Sequence, residues 1–347
     1  MNRKFKIIAS ISFILILFVL QLFKNKIKSL ISLLIYISKL LNNSYIIDIN
    51  LNGIQGNFGP GSLLKGINHV LPFISQKCIF ITKTMINYLN PDFYYVPGPI
   101  LERNDFVNLE KNKLINKYIL GPNFVPNRWY NFPNVSIWKE KHFSEILDSI
   151  KGVVVHSNRV RDHIANYSKS LDKIKKYIIM RPCTNIKPEV ITKFEKRKID
   201  IIFFEKYSDL NRTQQGKDLL SILEATGKKI VKMKYKNYDR KTMKYNANNS
   251  KFIIYFSFFD TGAIGLKEIQ NYGVFAFTHQ KDLVIHNDTS FYIPELASID
   301  KIKLAVEKIL TIIENISKSN PNSELIAKKN QLINNCKNSL KDLCYNL

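Results

Sequence analysis

Cysteine, tryptophan and acidic groups are scarce in this 347-residue chain: four Cys, two Trp, and 28 Asp plus Glu against 52 Lys plus Arg. Cys78, Cys183, Cys336 and Cys344 form no CxxC pair and no ligand set with nearby histidines. That argues against a structural zinc site and against a disulfide framework. They are expected to be free thiols of a reducing compartment, in keeping with a cytosolic face. Asp-x-Asp pairs and His–carboxylate clusters are missing too, so no metal and no other cofactor is expected. RRM, KH and helix-turn-helix signatures are absent, as is any dense basic run interleaved with aromatics, so no nucleic-acid partner is expected. The bulk composition, 45% hydrophobic, 12% aromatic and 23% charged, excludes a disordered chain, a collagen-like repeat and a small disulfide-stapled scaffold.

Positive charge is in excess, a formal +24. Such an imbalance favours an anionic partner, a membrane surface or a phosphate-bearing ligand. It also has a plainer source, because the chain is crowded with Lys, Asn and Ile, and scattered lysines are mostly solvated surface. One apolar run stands out: Ile7 to Phe23 carries no charge, with Arg3, Lys4 and Lys6 before it and Lys24, Lys26 and Lys28 after. As a helix it spans about 25 Å, near the lower limit for crossing a bilayer. No small-residue cleavage site precedes the downstream lysines, so the run reads as an N-terminal hydrophobic helix serving as a single-pass anchor. Lysines are balanced on its two flanks and set no orientation. A second apolar stretch, 29–41, is too short to span and is expected among lipid headgroups. Residues 1–44 therefore read as a membrane anchor and juxtamembrane helix.

From Tyr45 onward, short apolar runs alternate with helical patterns, the signature of βαβ units on a parallel sheet. Strands are expected at 45–51, 78–82, 118–120 and 152–156, then at 200–204, 229–232, 251–256 and 274–278. A helix is expected over 300–317, where Ile302, Leu304, Ala305, Ile309, Ile312 and Ile313 recur at helical spacing. Residues 182–198, with Pro188 and the charged stretch EKRK, read as a linker. The fold class is α/β, with halves at 45–190 and 191–318 and a helical tail at 319–347. Ligands in such folds sit at the carboxyl ends of strands.

Gly53, Gly56, Gly59, Gly61 and Gly66 follow the first strand. Glycine lets backbone N–H groups approach a ligand, and a helix from about Ser62 would present its positive end to an anion. A dinucleotide fingerprint fails because Leu64 stands where Gly or Ala is needed, and a P-loop fails because no Gly-Lys-Ser/Thr follows. An anion- or sugar-contacting loop and a plain tight turn both remain. The most informative stretch, Tyr255 to Thr278, reads as strand, turn, helix, turn, strand. Asp260 precedes the helix and Glu268 lies on it. Thr261, Gly262 and Ala263 would supply N–H groups suited to a diphosphate. The two acceptor oxygens of Glu268 suit both hydroxyls of a ribose.

Asp260-x7-Glu268, with Gly273 five residues after the second acid and an apolar strand at 274–277, resembles the Glu-x7-Glu motif of GT-B glycosyltransferases, most like the retaining family GT4. Ser257 stands shortly before the first acid, as is frequent in that family, while Asp260 is one methylene shorter than the family's Glu. The resemblance covers about residues 45–317. It implies two Rossmann-like domains facing a central cleft, with Asp260 on the donor sugar and Glu268 on the ribose. It also implies an acceptor and phosphate loop at Gly56, Gly59 and Gly61, and a basic pair, Lys206 and Arg212, on the donor diphosphate. His156 would reach the donor sugar from the N-terminal half. Retention of anomeric configuration is implied in the same way. His163, His279, Trp129, Tyr130 and Trp138 are further residues placed near the expected cleft or its membrane side.

Breaking an anomeric C–O bond leaves a diphosphate with added negative charge, which a metal or fixed cations and dipoles must stabilise. With no metal motif, Lys206, Arg212 and the N–H groups of 261–263 are expected to do this. The expected activity is transfer of a sugar from a nucleotide-sugar donor to a saccharide, lipid-linked or protein acceptor, at a membrane surface. A nucleotide-sugar epimerase of the same fold is the alternative, with a basic nucleic-acid-binding protein as the third reading.

Overall fold

The computed structural model describes residues 28, 30, 32, 35, 39, 44–49, 60–75, 77–82, 90–97, 114–122, 140–166, 177–179, 183–184, 190–206, 210–235, 237–257, 262–279, 290–293, 296–319, 321 and 331–347. Its contacts divide the chain into two compact units, Met1–Asn50 with Leu71–Tyr95, and Leu51–Val70 with Val96–Leu347.

The first unit holds β1 (Tyr45–Ile49), β2 (Phe73–Ile74), β3 (Cys78–Ile81) and β4 (Phe93–Val96, whose last residue belongs to the second unit). Strand β1 lies between β3 and β4 and parallel to both; β2 turns back antiparallel on β3. The apolar runs of β1 and β3 are buried, and Ile35 packs with Ile46, Ile79 and Ile81. This corrects the headgroup placement of 29–41: its described residues are helical and Ile35 belongs to a protein core. Lys39 pairs with Asp92 at 2.7 Å, which also accepts from the Ile46 N–H. The run 7–23 lies outside the described residues, among which no helix is long and apolar enough to cross a membrane.

The second unit opens with α1 (Pro60–Asn68) and continues through β5 (Tyr118–Leu120), α2 (Glu140–Ser149), β6 (Gly152–Val155), α3 (Asn158–Ala165) and β7 (Tyr177–Ile179). Strands β5, β6 and β7 are parallel in that order. Glycine is required at 121, where φ is +108° and any side chain would overlap the Val154 carbonyl.

Five parallel strands follow: β8 (Ile199–Lys206), β9 (Ile230–Lys234), β10 (Ser250–Ser257), β11 (Phe275–Thr278) and β12 (Ser290–Tyr292), in the order β12-β11-β10-β8-β9. Their near-continuous apolar runs are what a sheet covered on both faces requires. Side chains alternate between the faces. Ile201, Phe203, Phe252, Ile254 and Phe256 meet α4 (Leu210–Glu224) and α7 (Ile299–Lys318). Ile202, Phe204, Ile253 and Tyr255 meet α5 (Arg240–Asn249) and α6 (Ile264–Gln270). Each such fully buried side chain contributes about 1.5–3 kcal/mol.

Two expectations are overturned. Part of the supposed linker is core: Phe194 stacks edge-on against Phe252 and Phe275, and Arg197 is buried. The cysteines are not free thiols. Cys183 and Cys336 form a disulfide with Cα atoms 4.9 Å apart, and no cysteine among the described residues is free. Helix α8 (Gln331–Tyr345) folds back against β7 and so brings together residues 153 positions apart, which spacing along the chain does not reveal. Replacing Cys336 by Ser is expected to lower the unfolding free energy by about 2–5 kcal/mol in denaturant melts without reductant. Melts that coincide with wild type would show that the bond does not form.

Candidate functional site

The chain runs from β8 outward to β9, then returns across β8 to β10 and proceeds the other way to β11 and β12. Strand order therefore reverses between β8 and β10, and open α/β sheets bind ligands outside the carboxyl ends of the strands at such a point. Lys206 ends β8 and Ser257 ends β10, and the two are register partners. Ser257 is buried; the Lys206 ammonium lies 4.6 Å from the centre of the Tyr235 ring at the end of β9.

Beyond β10, Asp260 and Thr261 lie outside the described residues. Gly262 and Ala263 lead into α6, with Ala263 in the left-handed region at φ 46° and ψ 46°. That conformation is uncommon for a residue with a Cβ and places backbone strain at the strand–helix turn. Helix α6 is only seven residues long and ends at Gln270; in the turn that follows, Gly273 has a φ of +74° that suits glycine. Arg197 holds this end. Its guanidinium donates to the carbonyls of Thr192 (3.0 Å), Ser250 (2.7 Å), Gly273 (3.0 Å) and Tyr272 (2.6 Å). Burial lowers its pKa to about 10, still far above neutrality, so it stays charged.

Glu268 sits midway along α6 with no solvent exposure. Its Oε1 accepts from the Ser62 hydroxyl on α1 and, at 3.0 Å, from Arg240 Nη2 in the first turn of α5. Oε2 is buried and has no hydrogen-bond partner among the described residues. Burial raises the pKa of the carboxyl, while Ser62, Arg240 and the charge of Lys244 act in the opposite direction. The α5 start that carries Arg240 is itself fixed by Asp239, which accepts from the Thr242 N–H at 2.8 Å.

His156, buried at the end of β6, meets the same turn: a methyl group on Gly262 would overlap its imidazole. Glu268, Gly262, Ala263 and His156 thus converge on one turn and helix. Lys206 and Ser257 mark the strand ends beside them. Arg212 lies on α4 and Gly61 in the first turn of α1. Gly56, Gly59, Trp129, Tyr130 and Trp138 fall outside the described residues. His279 packs edge-on to Phe256. Among the described residues no three His, Cys, Asp or Glu side chains cluster as a metal set.

Sequence reasoning missed Ser62 as a partner of Glu268 and missed Arg240 altogether. In the sequence Ser62 reads only as the start of a helix, and Arg240 is one of 52 basic residues. The Asp239-x-x-Thr242 capping pattern that spans it was the local signal available, and it marks a helix start rather than a site.

No protein-family model matches this sequence, and no curated protein matches it. Among solved structures, the lipopolysaccharide outer core galactosyltransferase WaaB in its apo form is similar at a TM-score of 0.51 and 11% identity, over 85% of this chain and 99% of that one. The chain shares that fold. A sucrose-phosphate synthase (tll1590) from Thermosynechococcus elongatus matches at 0.43 and 10% identity, over 86% of this chain and 94% of that one. A glycotransferase of kitacinnamycin matches at 0.34 and 12% identity, over 73% and 77%. The α/β architecture implied by the GT-B resemblance is thus met at the level of fold by WaaB.

Gly262→Ala is expected to lower stability by about 1–3 kcal/mol, because the added methyl group meets a packed ring. Adding His156→Ala should recover part of that loss, a coupling that thermal unfolding of the two single variants and the double variant measures. Strict additivity would show that the two residues do not touch.

Proposed function

We propose that this chain is a glycosyltransferase that moves a sugar from a nucleotide-sugar donor to a saccharide, lipid-linked or protein acceptor. One observation carries the reading. A buried carboxylate, Glu268, stands on the helix after β10, beside the strand-order reversal, and one of its oxygens lacks a donor among the described residues. A ribose hydroxyl would supply that donor. The shared fold with a galactosyltransferase supports the same reading.

In this proposal the nucleoside ribose meets Glu268, and the diphosphate lies toward the turn of Ser257, Thr261, Gly262 and Ala263. Lys206 and Arg212 offset the charge that develops on the leaving diphosphate, so that no metal is needed. Asp260 and His156 orient the donor sugar, and Gly56, Gly59 and Gly61 line the acceptor side. Attack from the leaving-group face would retain the anomeric configuration. The domain boundary near residue 190, the anchor at 7–23 and membrane association belong to the proposal as well.

The disulfides bear on compartment, since such bonds persist in oxidising surroundings. We therefore place the folded chain on the oxidising side of its membrane, in place of the cytosolic face. Alkylating the chain in intact cells, before any reductant is added, should label none of its cysteines; labelled thiols would return it to the cytosolic side.

Thermal unfolding against UDP, GDP, ADP and CMP should show one nucleotide that raises the midpoint, since selective binding to the native state stabilises it. Glu268→Ala should abolish that shift and the transfer of sugar from the matching donor. Nucleotide binding and transfer unaltered by Glu268→Ala would overturn the reading, and an isomerised sugar without transfer would make the chain an epimerase.

A further inference from the structure

We propose that Arg240 and Ser62 are positioning residues of the donor site: they engage Oε1 of Glu268 and leave Oε2 as the single oxygen that reads a ribose hydroxyl. The inference rests on the reading of Glu268 as the ribose contact. A carboxylate oxygen offers about two lone-pair sites. Both on Oε1 are taken, one by the Ser62 hydroxyl and one by Arg240 Nη2. Oε2, equally buried, has no partner among the described residues. Turning the carboxylate over to exchange its oxygens would break both existing bonds.

The three side chains stand on three different helices, α1, α5 and α6, so the direction in which Oε2 points is not a property of α6 alone. Arg240 also places an opposite charge 3.0 Å from Oε1, which favours the ionised form against the burial that disfavours it, and an ionised acceptor makes the stronger hydrogen bond. A carboxylate that faces a ribose with both oxygens depends on the 2′- and 3′-hydroxyls about equally. One that faces it with a single oxygen depends on one hydroxyl far more than on the other.

The test uses the full chain and titration calorimetry. UDP, GDP, ADP and CMP are compared, and the tightest binder is titrated in its ribo, 2′-deoxy, 3′-deoxy and 2′,3′-dideoxy forms. One monodeoxy form should bind about tenfold or more weakly and the other within about twofold of the ribonucleotide. Arg240→Ala and Ser62→Ala should weaken the ribonucleotide while leaving the dideoxy form unchanged, so that discrimination shrinks; Arg240→Lys should keep part of it. A merely structural role would weaken ribo and dideoxy forms alike.

Equal losses for both monodeoxy forms, or discrimination that survives Arg240→Ala and Ser62→Ala but not Glu268→Ala, would overturn the positioning inference and spare the ribose reading. Failure of all four nucleotides to bind, or binding indifferent to Glu268→Ala, would overturn both. Should Arg240→Ala not fold, Ser62→Ala, which removes a single hydroxyl, decides: reduced discrimination supports the inference and full discrimination overturns it.

Discussion

A carboxylate with no solvent exposure governs the arrangement of the second unit. Burying an isolated charge costs several kcal/mol, and removing one partner of a buried pair typically costs about 3–5 kcal/mol. Glu268 is tolerated in the interior because Arg240 and Ser62 reach it from two helices earlier in the sequence, 28 and 206 positions away. Helices α1, α5 and α6 therefore share one polar junction. Helix α6 needs it. At seven residues it is too short to hold its own conformation, and it is secured by Glu268 midway and by the Arg197 guanidinium on the carbonyls at its far end. The two arginines differ in kind. Arg197 meets only neutral carbonyls and fixes backbone, whereas Arg240 meets a charge and fixes a side chain.

Close backbone approaches support the same junction. A side chain on Gly66 of α1 would stand 2.8 Å from the Thr184 carbonyl oxygen, and Thr184 itself accepts from Asn271 just past α6. Cys183, next to Thr184, is bonded to Cys336 on α8. Cys183 and Thr184 are thereby tied to α1, to the end of α6 and to α8.

The second sheet was legible because strands buried on both faces are written as unbroken apolar runs, and β8, β10 and β11 fall within a residue or two of their expected limits. Strands β4 and β7 were not, being four and three residues long, half-buried in places, and without enough sequence to show a period. Glu268 was legible from its spacing to Asp260 and Gly273. Its partners were not, because a hydrogen bond between helices 206 residues apart leaves no periodic trace in either. Charge misled at 195–198: the stretch reads as part of a linker, yet Arg197 turns inward to meet four carbonyls that no neighbouring residue announces. The cysteines misled for the same reason, since their pairing is a property of the folded chain.

The five-stranded sheet is parallel throughout, and from β8 to β11 each successive strand follows only after a helix, α4, α5 or α6, has been crossed. No local hairpin can seed it, and the entropy of closing those long connections is lost before any ladder forms. During that delay the phenylalanine-rich strands stay uncovered, and a nascent chain so built leans on chaperones and on dilution to avoid sticking to its own copies.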